Sequence, residues 1–499
     1  MSQGRESNGF AGHPRGLATL FLTEMWERFT FYGMRSLLVL FMTAAVIDGG
    51  LGLDDKAATS IYGLYIGCVY LFSWPGGWIA DRLLGAQRAV IAGALLMAAG
   101  NFMLALQSVT FFYLGLIVIV LGVGLLKPNV SVMVGQLYSG QSSARRDAGF
   151  LLFYIGINLG AVLAPLVIGT IGEKLSWRAG FAVAGLCMLG GLLQFVAQRR
   201  HLPPALPTAT TPAERRRGLQ ILFGAGAALT ALIALMFAGI IPAAPVTLAR
   251  YTGLAMVLMA AGFFGYVFLF GRLSGDEAKR VAVILILFCS VAIFILGYEL
   301  AGSTFNLFAR DYTDRSFLGS WFADGEHPAS WYQALGPFYI VVFAPLFGAM
   351  WVRLARRNLE PSLPAKFGIG LIQVGLGFVV MAWASWLVVQ GGAGTRVAPT
   401  WLLLTYMLHT FGELCVSPIG LSAITALSPK RYTGQMMGTW FAGVALGNLL
   451  SGIVAGYFGE DTLATAPTRF LMICAMDVVA GCVLLLLARS ITRMIGDAR

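Results

Sequence analysis

Glu24-Met25-Trp26-Glu27-Arg28-Phe29 places three ionisable side chains inside the first long apolar segment, which covers about residues 17–46, and Arg35 adds a fourth. An unpaired ion at the centre of a bilayer costs at least about 2.5 kcal/mol. Helical spacings put these positions and one aromatic residue on a single stripe: Glu24, Glu27, Arg28, Phe31, Arg35. The stripe is therefore predicted to face protein or water and not lipid.

These charges have two interpretations. Two acids and two bases can neutralise one another and only help helices to pack. The alternative is a functional role, which we favour because ionisable groups are rare in membrane cores and mark pathways for substrates and protons.

The composition excludes a soluble protein. Of the 499 residues, 58% are hydrophobic and 11% are charged, which predicts an all-α polytopic membrane protein. The net charge of +11 does not indicate nucleic acid as a partner, because the basic residues lie in short loops between apolar segments. The six cysteines lie in apolar spans without a CxxC pair, so they predict neither a disulfide framework nor a metal site.

Fourteen apolar segments are long enough to cross a hydrocarbon layer of about 30 Å. Most of the 34 Lys and Arg residues fall in loops on the side of the amino terminus, so both termini are predicted to be cytoplasmic. We expect a six-helix bundle at 1–200, a cytoplasmic linker with a two-helix transmembrane insert at 201–280, and a second six-helix bundle at 281–499. The insert is predicted to face lipid, because its spans contain almost no ionisable residue.

Two loops carry further information. Gly77-Trp78-Ile79-Ala80-Asp81-Arg82-Leu83-Leu84-Gly85 resembles the GxLADRxxG signature of the major facilitator superfamily. An acid at a helix end beside an arginine can form ties that break when helix bundles rock, so Asp81 and Arg82 are candidate gating residues. The alternative is a solvated loop. The polar segment at 310–328 is either a lid or a simple loop.

The first half contains two more polar groups at membrane depth. Lys127 lies in Gly122-Val123-Gly124-Leu125-Leu126-Lys127-Pro128-Asn129. Its glycines allow close helix approach and its proline frees backbone groups, both of which suit a helix beside a cavity. Asn158, in the fifth segment, either faces a ligand or hydrogen-bonds to a neighbouring helix.

The second half contributes acids. Glu299 and Glu413 lie within long apolar segments. His409 stands one turn before Glu413 and can modulate its proton affinity, although a single histidine on an apolar helix is more often a hydrogen-bonded core residue. Asp477, in the last segment, receives no role from the sequence.

Cations from the first half and acids from the second suit a zwitterion. The termini of a dipeptide are about 5–7 Å apart at about 3.3–3.6 Å per extended residue, a length that fits a central cavity. Surroundings of low dielectric constant disfavour an ionised carboxylate, so Glu24, Glu27 and Glu299 are candidates for proton exchange.

Several of these stretches together resemble one family, the proton-dependent oligopeptide transporters. The first matches the ExxERF motif of that family. The remaining matches cover helices four, five and ten: Gly124–Asn129, Gln136–Tyr138, Arg145–Phe150, Phe153–Ala161, Gly412–Leu414, Ser417–Pro418, Gly420–Ser422. The likeness covers nearly the whole chain and implies a bacterial member with a major facilitator fold, two six-helix bundles and two extra helices between them.

The resemblance also implies proton-driven uptake of di- and tripeptides by alternating access. It implies no cofactor, because the proton gradient supplies the driving force. The expected partners are di- and tripeptides, protons and the lipid bilayer, and we expect a monomer in the bacterial inner membrane.

Roles for individual residues come from the same resemblance. It implies that Arg28 and Lys127 hold the peptide carboxylate. Glu24 and Glu27 would exchange protons and trade ion-pair partners with these two cations. The other implied substrate-contacting positions lie near the carboxylate, at the amino group and on the opposite wall. They are Phe31, Tyr32, Arg35 and Tyr70, then Glu299 and Asn158, and then Glu413, Ser417 and Trp440. Arg35 and Glu299 would form an outer gate.

Three positions depart from the usual family pattern. Phe31 replaces a common tyrosine and removes a hydroxyl group beside the peptide, and Leu300 stands where glutamine is frequent. Gly336 occupies the place of an asparagine that helps to hold the peptide amino end, and Gln333, one turn away, is a candidate substitute. These departures bear on substrate range and affinity.

Three other functions compete with peptide transport. The nearest alternative is a transporter of another small solute, such as a nitrate-like anion, a modified peptide or a drug. A bare anion is disfavoured by Glu299 and Glu413. An enzyme is disfavoured because the four histidines are scattered and the cysteines are unpaired. A nutrient receptor would bind the same ligands without accumulating them.

Overall fold

The computed structural model describes residues 10–106, 108–139, 143–202, 211–240, 244–459 and 463–496. These residues form helices, and one isolated β-bridge joins Thr313 to Val397. The predicted all-α class is therefore confirmed.

The α-helices are numbered in chain order. They are α1 Arg15–Thr43, α2 Asp55–Ile79, α3 Ala86–Leu104, α4 Val109–Leu137, α5 Ser143–Ala164, α6 Thr170–Lys174, α7 Trp177–Gln198, α8 Pro212–Phe237, α9 Pro245–Phe270, α10 Gly275–Tyr298, α11 Thr304–Tyr312, α12 Leu335–Arg356, α13 Leu363–Gly391, α14 Thr400–Leu427, α15 Thr433–Gly459 and α16 Ala466–Ile495.

Two of these helices are continuations of the one before. A π-helical turn at Pro165–Gly169 joins α5 to α6, and a 3-10 turn at Glu299–Gly302 leads from α10 towards α11. Among the described residues, thirteen helical stretches are long and apolar enough to cross a membrane. Helix α1 has 29 residues and is long enough as well, but its five charged residues set it apart from the rest. The fourteen predicted segments are accounted for in this way.

Contacts between Cα atoms divide the chain into two units. The first unit comprises residues 1–37 and 71–244, and the second comprises 38–70 and 245–499. The division passes through α1 and α2, and it assigns α8 to the first unit and α9 to the second. The side chains of α8 are almost all exposed, as expected for a helix that faces lipid. The domain boundaries at 200 and 280 stay a prediction.

Glycines bring α3 and α4 into close contact in the first unit. A Cβ atom at Gly93 would lie 2.6 Å from the carbonyl oxygen of Gly122, and one at Gly100 would lie 2.8 Å from that of Gly115. In lipid, helices associate through van der Waals packing, so small residues that let backbones approach are stabilising. The two glycine pairs therefore let α3 and α4 approach closely at two points about two helical turns apart.

In the second unit, glycines also allow close contact at several helix crossings. A Cβ atom at Gly63 on α2 would lie 2.6 Å from the Cα atom of Gly452 on α15. Helix α13 approaches α16 at Gly368 and α14 at Gly370, where a Cβ atom would lie 2.8 Å and 2.9 Å from backbone oxygens of those helices. These crossings fix the frame on which Glu299 and Glu413 are carried.

The polar segment at 310–328 is folded against the chain near residue 397. Arg315 donates to the carbonyl oxygen of His327 at 2.6 Å and to the carboxylate of Glu326, which also accepts from Arg396. Hydrogen bonds from Ser316 hold the pKa of the exposed Asp314 carboxyl below its usual range. In this structure the segment is thus an ordered loop held by ion pairs.

We predict that Gly93→Ala lowers the melting temperature of the detergent-solubilised protein. The added methyl group has to separate α3 from α4, and overpacking of this kind costs about 1–3 kcal/mol. The control is Gly190→Ala on α7 of the same unit, where a Cβ atom would meet nothing within 4 Å. Equal melting temperatures for the two variants would contradict the packing argument.

Candidate functional site

The ionisable side chains of α1 are buried and paired. Arg28 Nε lies 3.1 Å from Oε1 of Glu24 and also contacts Oε2 of Glu27. Arg28 is 4% exposed and Glu27 is 0% exposed. The predicted polar stripe is therefore an internal ion cluster, with both acids facing the same guanidinium group.

One guanidinium group cannot neutralise two carboxylates. The ammonium group of Lys127, on α4, also acts electrostatically on the carboxylate of Glu24. The cluster is then balanced when both acids are ionised, and it gains positive charge when one of them takes a proton. An anion such as a peptide carboxylate would be attracted in the second case.

Aromatic rings flank the two arginines. The guanidinium carbon of Arg28 lies 5.6 Å from the centroid of the Phe31 ring, and that of Arg35 lies 5.5 Å from the Tyr32 ring. The two rings meet edge to face with centroids 5.5 Å apart. Guanidinium groups at such distances gain from the negative face of the ring, so the aromatic pair helps to orient both cations.

Helix α5 is pressed against the ion cluster. A Cβ atom at Gly160 would lie 2.4 Å from the carbonyl oxygen of Met25 and 3.0 Å from Cβ of Arg28. Asn158 is buried beside this crossing and donates to the carbonyl oxygen of Tyr154, one turn earlier on the same helix, at 2.9 Å. That bond lies within α5 and is not the interhelical link that was the alternative for Asn158.

The candidate gating residues of the first unit lie at the end of α2. Asp81 and Arg82 are exposed and belong to the π-helical turn Ala80–Leu84. Gly85 comes next in a positive-φ conformation, at +78°, which allows α3 to start in a new direction.

Glu299 sits at a break in its helix. Helix α10 ends at Tyr298, and Glu299 starts the 3-10 turn that leads to α11. The side chain is 5% exposed. Gln333 lies on a second 3-10 turn at Ala329–Ala334, just before α12. A Cβ atom at Gly336 would lie 3.6 Å from the hydroxyl oxygen of Tyr298, so that glycine leaves room beside the Tyr298 ring.

The other candidates of the second unit lie on α2, α14 and α15. Tyr70, Glu413 and Ser417 are half-buried, and Trp440 is buried. Gly420 seats the Trp440 ring, because a Cβ atom there would lie 2.1 Å from the ring edge. Glu413 and Ser417 are one helical turn apart, so they share a face of α14.

Helix α14 also carries His409, which is a core residue. It is buried among aromatic rings, with centroids 5.0 Å away for Phe378 and 5.5 Å for Phe305. His409 is therefore a core residue, as the second interpretation predicted, but neither ring nitrogen meets the geometry of a hydrogen bond to a described residue, so the hydrogen-bonded part of that prediction is not borne out.

The structure thus groups the candidate residues by unit. The first unit brings together a cationic and acidic cluster: Glu24, Glu27, Arg28, Phe31, Tyr32, Arg35, Lys127, Asn158. The second unit carries Tyr70, Glu299, Gln333, Glu413, Ser417 and Trp440. The convergence of the two groups on one ligand stays a prediction.

Sequence reasoning missed the packing around Asp477, whose position on the last helix gave no signal. It also missed the ion pair of Lys366 with Glu360, where the ammonium group lies 4.9 Å from the Trp351 ring. Glu360 lies just before the start of α13 and Lys366 lies in its first turn. This spacing of six residues was the only feature of the sequence from which the ion pair could have been predicted.

Comparisons with known proteins find similarity to one family, the POT family of peptide transporters. A model of the POT family matches residues 87–470. The chain is 40% identical to the peptide transporter YePEPT of Yersinia enterocolitica over 98% of its length and 97% of the relative's. It is 34% identical to the di-/tripeptide transporter of Lactococcus lactis subsp. cremoris, with 98% of both chains covered. It is also similar to the crystal structure of peptide transporter POT in complex with sulfate, with a TM-score of 0.89, 36% identity and coverage of 98% and 97%.

We predict that Arg28→Met destabilises the protein more at pH 8 than at pH 5. Removing one partner of a buried ion pair costs about 3–5 kcal/mol, because the other partner stays buried without compensation. At pH 5 a larger share of the carboxylates binds protons, so the penalty shrinks. Melting temperatures in detergent at both pH values would measure the difference.

The control for this variant is Arg82→Met, which removes an exposed arginine. Exposed charges contribute little to stability, so its melting temperature should stay near that of the wild type at both pH values. A loss for Arg28→Met that does not depend on pH would contradict the assignment of two ionised acids to this cation.

Proposed function

Since the chain belongs to the POT family, we propose that it is a proton-coupled symporter that imports di- and tripeptides, a multi-pass transporter and not an enzyme. The observation that carries the proposal is the buried cluster of two carboxylates and one guanidinium group on α1. Such a cluster changes its net charge when it takes a proton, which is the requirement for coupling proton movement to the binding of a charged solute.

The membrane and the orientation belong to the proposal as well. We place the chain in the bacterial inner membrane as a monomer, as in the expectation from the family resemblance. The distribution of Lys and Arg supports an orientation with both termini in the cytoplasm. Asp81 and Arg82 then lie on the cytoplasmic side and act as gating residues that exchange partners during transport.

The peptide carboxylate is proposed to bind Arg28 and Lys127. Both are cations at membrane depth, and Arg28 already faces carboxylates of the protein itself. A peptide carboxylate can therefore take the place of a protein carboxylate once that group is protonated. Tyr32 and Tyr70 supply hydroxyl groups near the same end, while Phe31 supplies a ring without one.

The peptide amino group is proposed to bind Glu299, with Asn158 and Gln333 as neutral partners. Glu299 is buried at a helix break, in a 3-10 turn and not in a regular α-helix. Glu413, Ser417 and Trp440 would contact the peptide elsewhere. Arg35 and Glu299 are proposed as the outer gate.

These roles together define a transport cycle. Protonation of Glu24 or Glu27 from outside weakens their pairing with Arg28 and frees the cation for a peptide. Binding through both peptide termini favours closure towards the outside. In the cytoplasm, loss of the proton restores the internal ion pairs, which compete with the peptide carboxylate and release it. No cofactor takes part, because the proton gradient supplies the free energy.

We predict that Glu24→Gln and Lys127→Ala abolish uptake of labelled dialanine into proteoliposomes under an inward proton gradient. Glutamine cannot bind or release the coupling proton, and alanine removes a cation needed for both the carboxylate and Glu24. Glu24→Gln should still exchange internal for external peptide without a gradient, because exchange needs no net proton movement. Asp276→Asn, at an exposed position, is the control.

We predict that peptides, but not free amino acids or small anions, compete with a fluorescent dipeptide for uptake into whole cells. Dialanine and trialanine should compete, because they offer an amino group and a carboxylate at the spacing that separate acids and cations can bind. Free alanine and nitrate should not compete at the same concentration. Competition by nitrate alone would instead support a transporter of small anions.

A further inference from the structure

Asp477 is a buried acid that the proposed transport cycle does not use. It lies near the middle of α16 and is 0% exposed. Neither oxygen of its carboxyl group accepts a hydrogen bond from any residue that the structure describes. Glu24 and Glu27 are similarly buried, but they face Arg28. Asp477 is the acid that lacks such a partner within the described part of the second unit.

Two glycines make the space that Asp477 occupies. Oδ2 of Asp477 lies 2.8 Å from the point where a Cβ atom at Gly297 would be, and Cβ of Asp477 lies 3.5 Å from the corresponding point at Gly375. Phe378 and Val374, on α13, close the wall, each 3.0 Å from the same point at Gly297. The carboxyl group therefore rests directly on the backbone of α10.

Asp477 contacts α10 close to the end of that helix. Gly297 is two residues before Glu299, and α10 ends between them at Tyr298. The backbone then forms a 3-10 turn, whose hydrogen bonds have poorer geometry than those of an α-helix. The orientation of such a helix end depends on the side chains that pack against it from neighbouring helices. The carboxyl group of Asp477 is one of these contacts.

The surroundings of Asp477 decide its protonation. The titratable groups nearby are Tyr298 and Glu299 after Gly297, His409 on α14, and Cys474 one turn earlier on α16. Of these only His409 could be a cation, and it is enclosed by aromatic rings. An isolated ionised carboxylate in such surroundings costs many kcal/mol, whereas the neutral acid costs far less. The group is therefore neutral.

We propose that Asp477 is a positioning residue for Glu299: a permanently neutral carboxylic acid that fills the notch at Gly297 and fixes the helix end from which Glu299 projects. The inference rests on the proposed function, because Glu299 is there assigned to the peptide amino group. Asp477 itself contacts no substrate and exchanges no proton during transport.

The test compares Asp477→Ala, which empties the notch, with Asp477→Asn, which keeps its shape and can never ionise. Asp477→Ala should raise the KM for dialanine at least about fivefold with little change in maximal rate, as expected when a charged contact is weakened by about 1 kcal/mol. Asp477→Asn should restore the KM to within about twofold of the wild type and leave the pH profile unchanged. Cys482→Ala, at an exposed position of α16, is the control.

A double-mutant cycle separates positioning from general damage. In a Glu299→Gln background, Asp477→Ala should weaken dialanine binding no further, because the contact that it supports is already lost. An additive loss would overturn the proposal, and so would a pH profile that moves in Asp477→Asn, since that would make Asp477 a proton-exchanging group.

A second variant, Gly297→Ala, and the behaviour of the wild type separate failure of this inference from failure of the proposed function. If Asp477→Ala does not fold, Gly297→Ala tests the same notch from the other side, because its methyl group would meet Oδ2 at 2.8 Å and should raise the KM in the same way. If the wild type does not transport dialanine, the proposed function fails. If the wild type transports it and Glu299→Gln weakens its binding, but Asp477→Ala and Gly297→Ala behave as wild type, the inference alone fails.

Discussion

The rest of the structure depends on one constraint, the placement of Arg28 between two carboxylates inside an apolar helix. Inside a membrane each unpaired ion would cost at least about 2.5 kcal/mol, and the three groups together leave one negative charge that needs another cation. Lys127 supplies it from α4. This balance therefore needs groups from more than one helix, and α1 depends on α4 for it.

Close contact between helices maintains this balance of buried charges. Ion pairs weaken as their members separate, so the helices that carry the charges need fixed distances. Gly160 lets α5 rest on the backbone of α1 beside Arg28, and the glycine pairs of α3 and α4 hold the helix that carries Lys127. The abundance of glycine in this chain thus serves the charged residues as much as the packing itself.

Much of this could be predicted from the sequence, and the limits have physical causes. Helix positions, the exposed insert and the pairing of Glu24 with Arg28 depend on local hydropathy and on i, i+4 spacing, which need only neighbouring residues. The ion pairs of Glu326 with Arg315 and Arg396 span up to 70 positions and could not be found in that way. The break at Glu299 contains no proline, so only tertiary contacts distinguish its 3-10 turn from a continued α-helix.

The two kinds of buried acid in this chain show how surroundings assign a role to the same chemical group. Glu24 and Glu27 are no more exposed than a core leucine, yet Arg28 lies against both of them and compensates their charge. Asp477 is buried to the same degree, but glycine backbone, Phe378 and Val374 lie around it in place of a cation. The neutral form is then the one that the fold can accommodate, and its contribution is to shape and not to proton transfer. Burial alone would have grouped these residues together, and the presence or absence of a cationic neighbour separates Glu24 and Glu27 from Asp477.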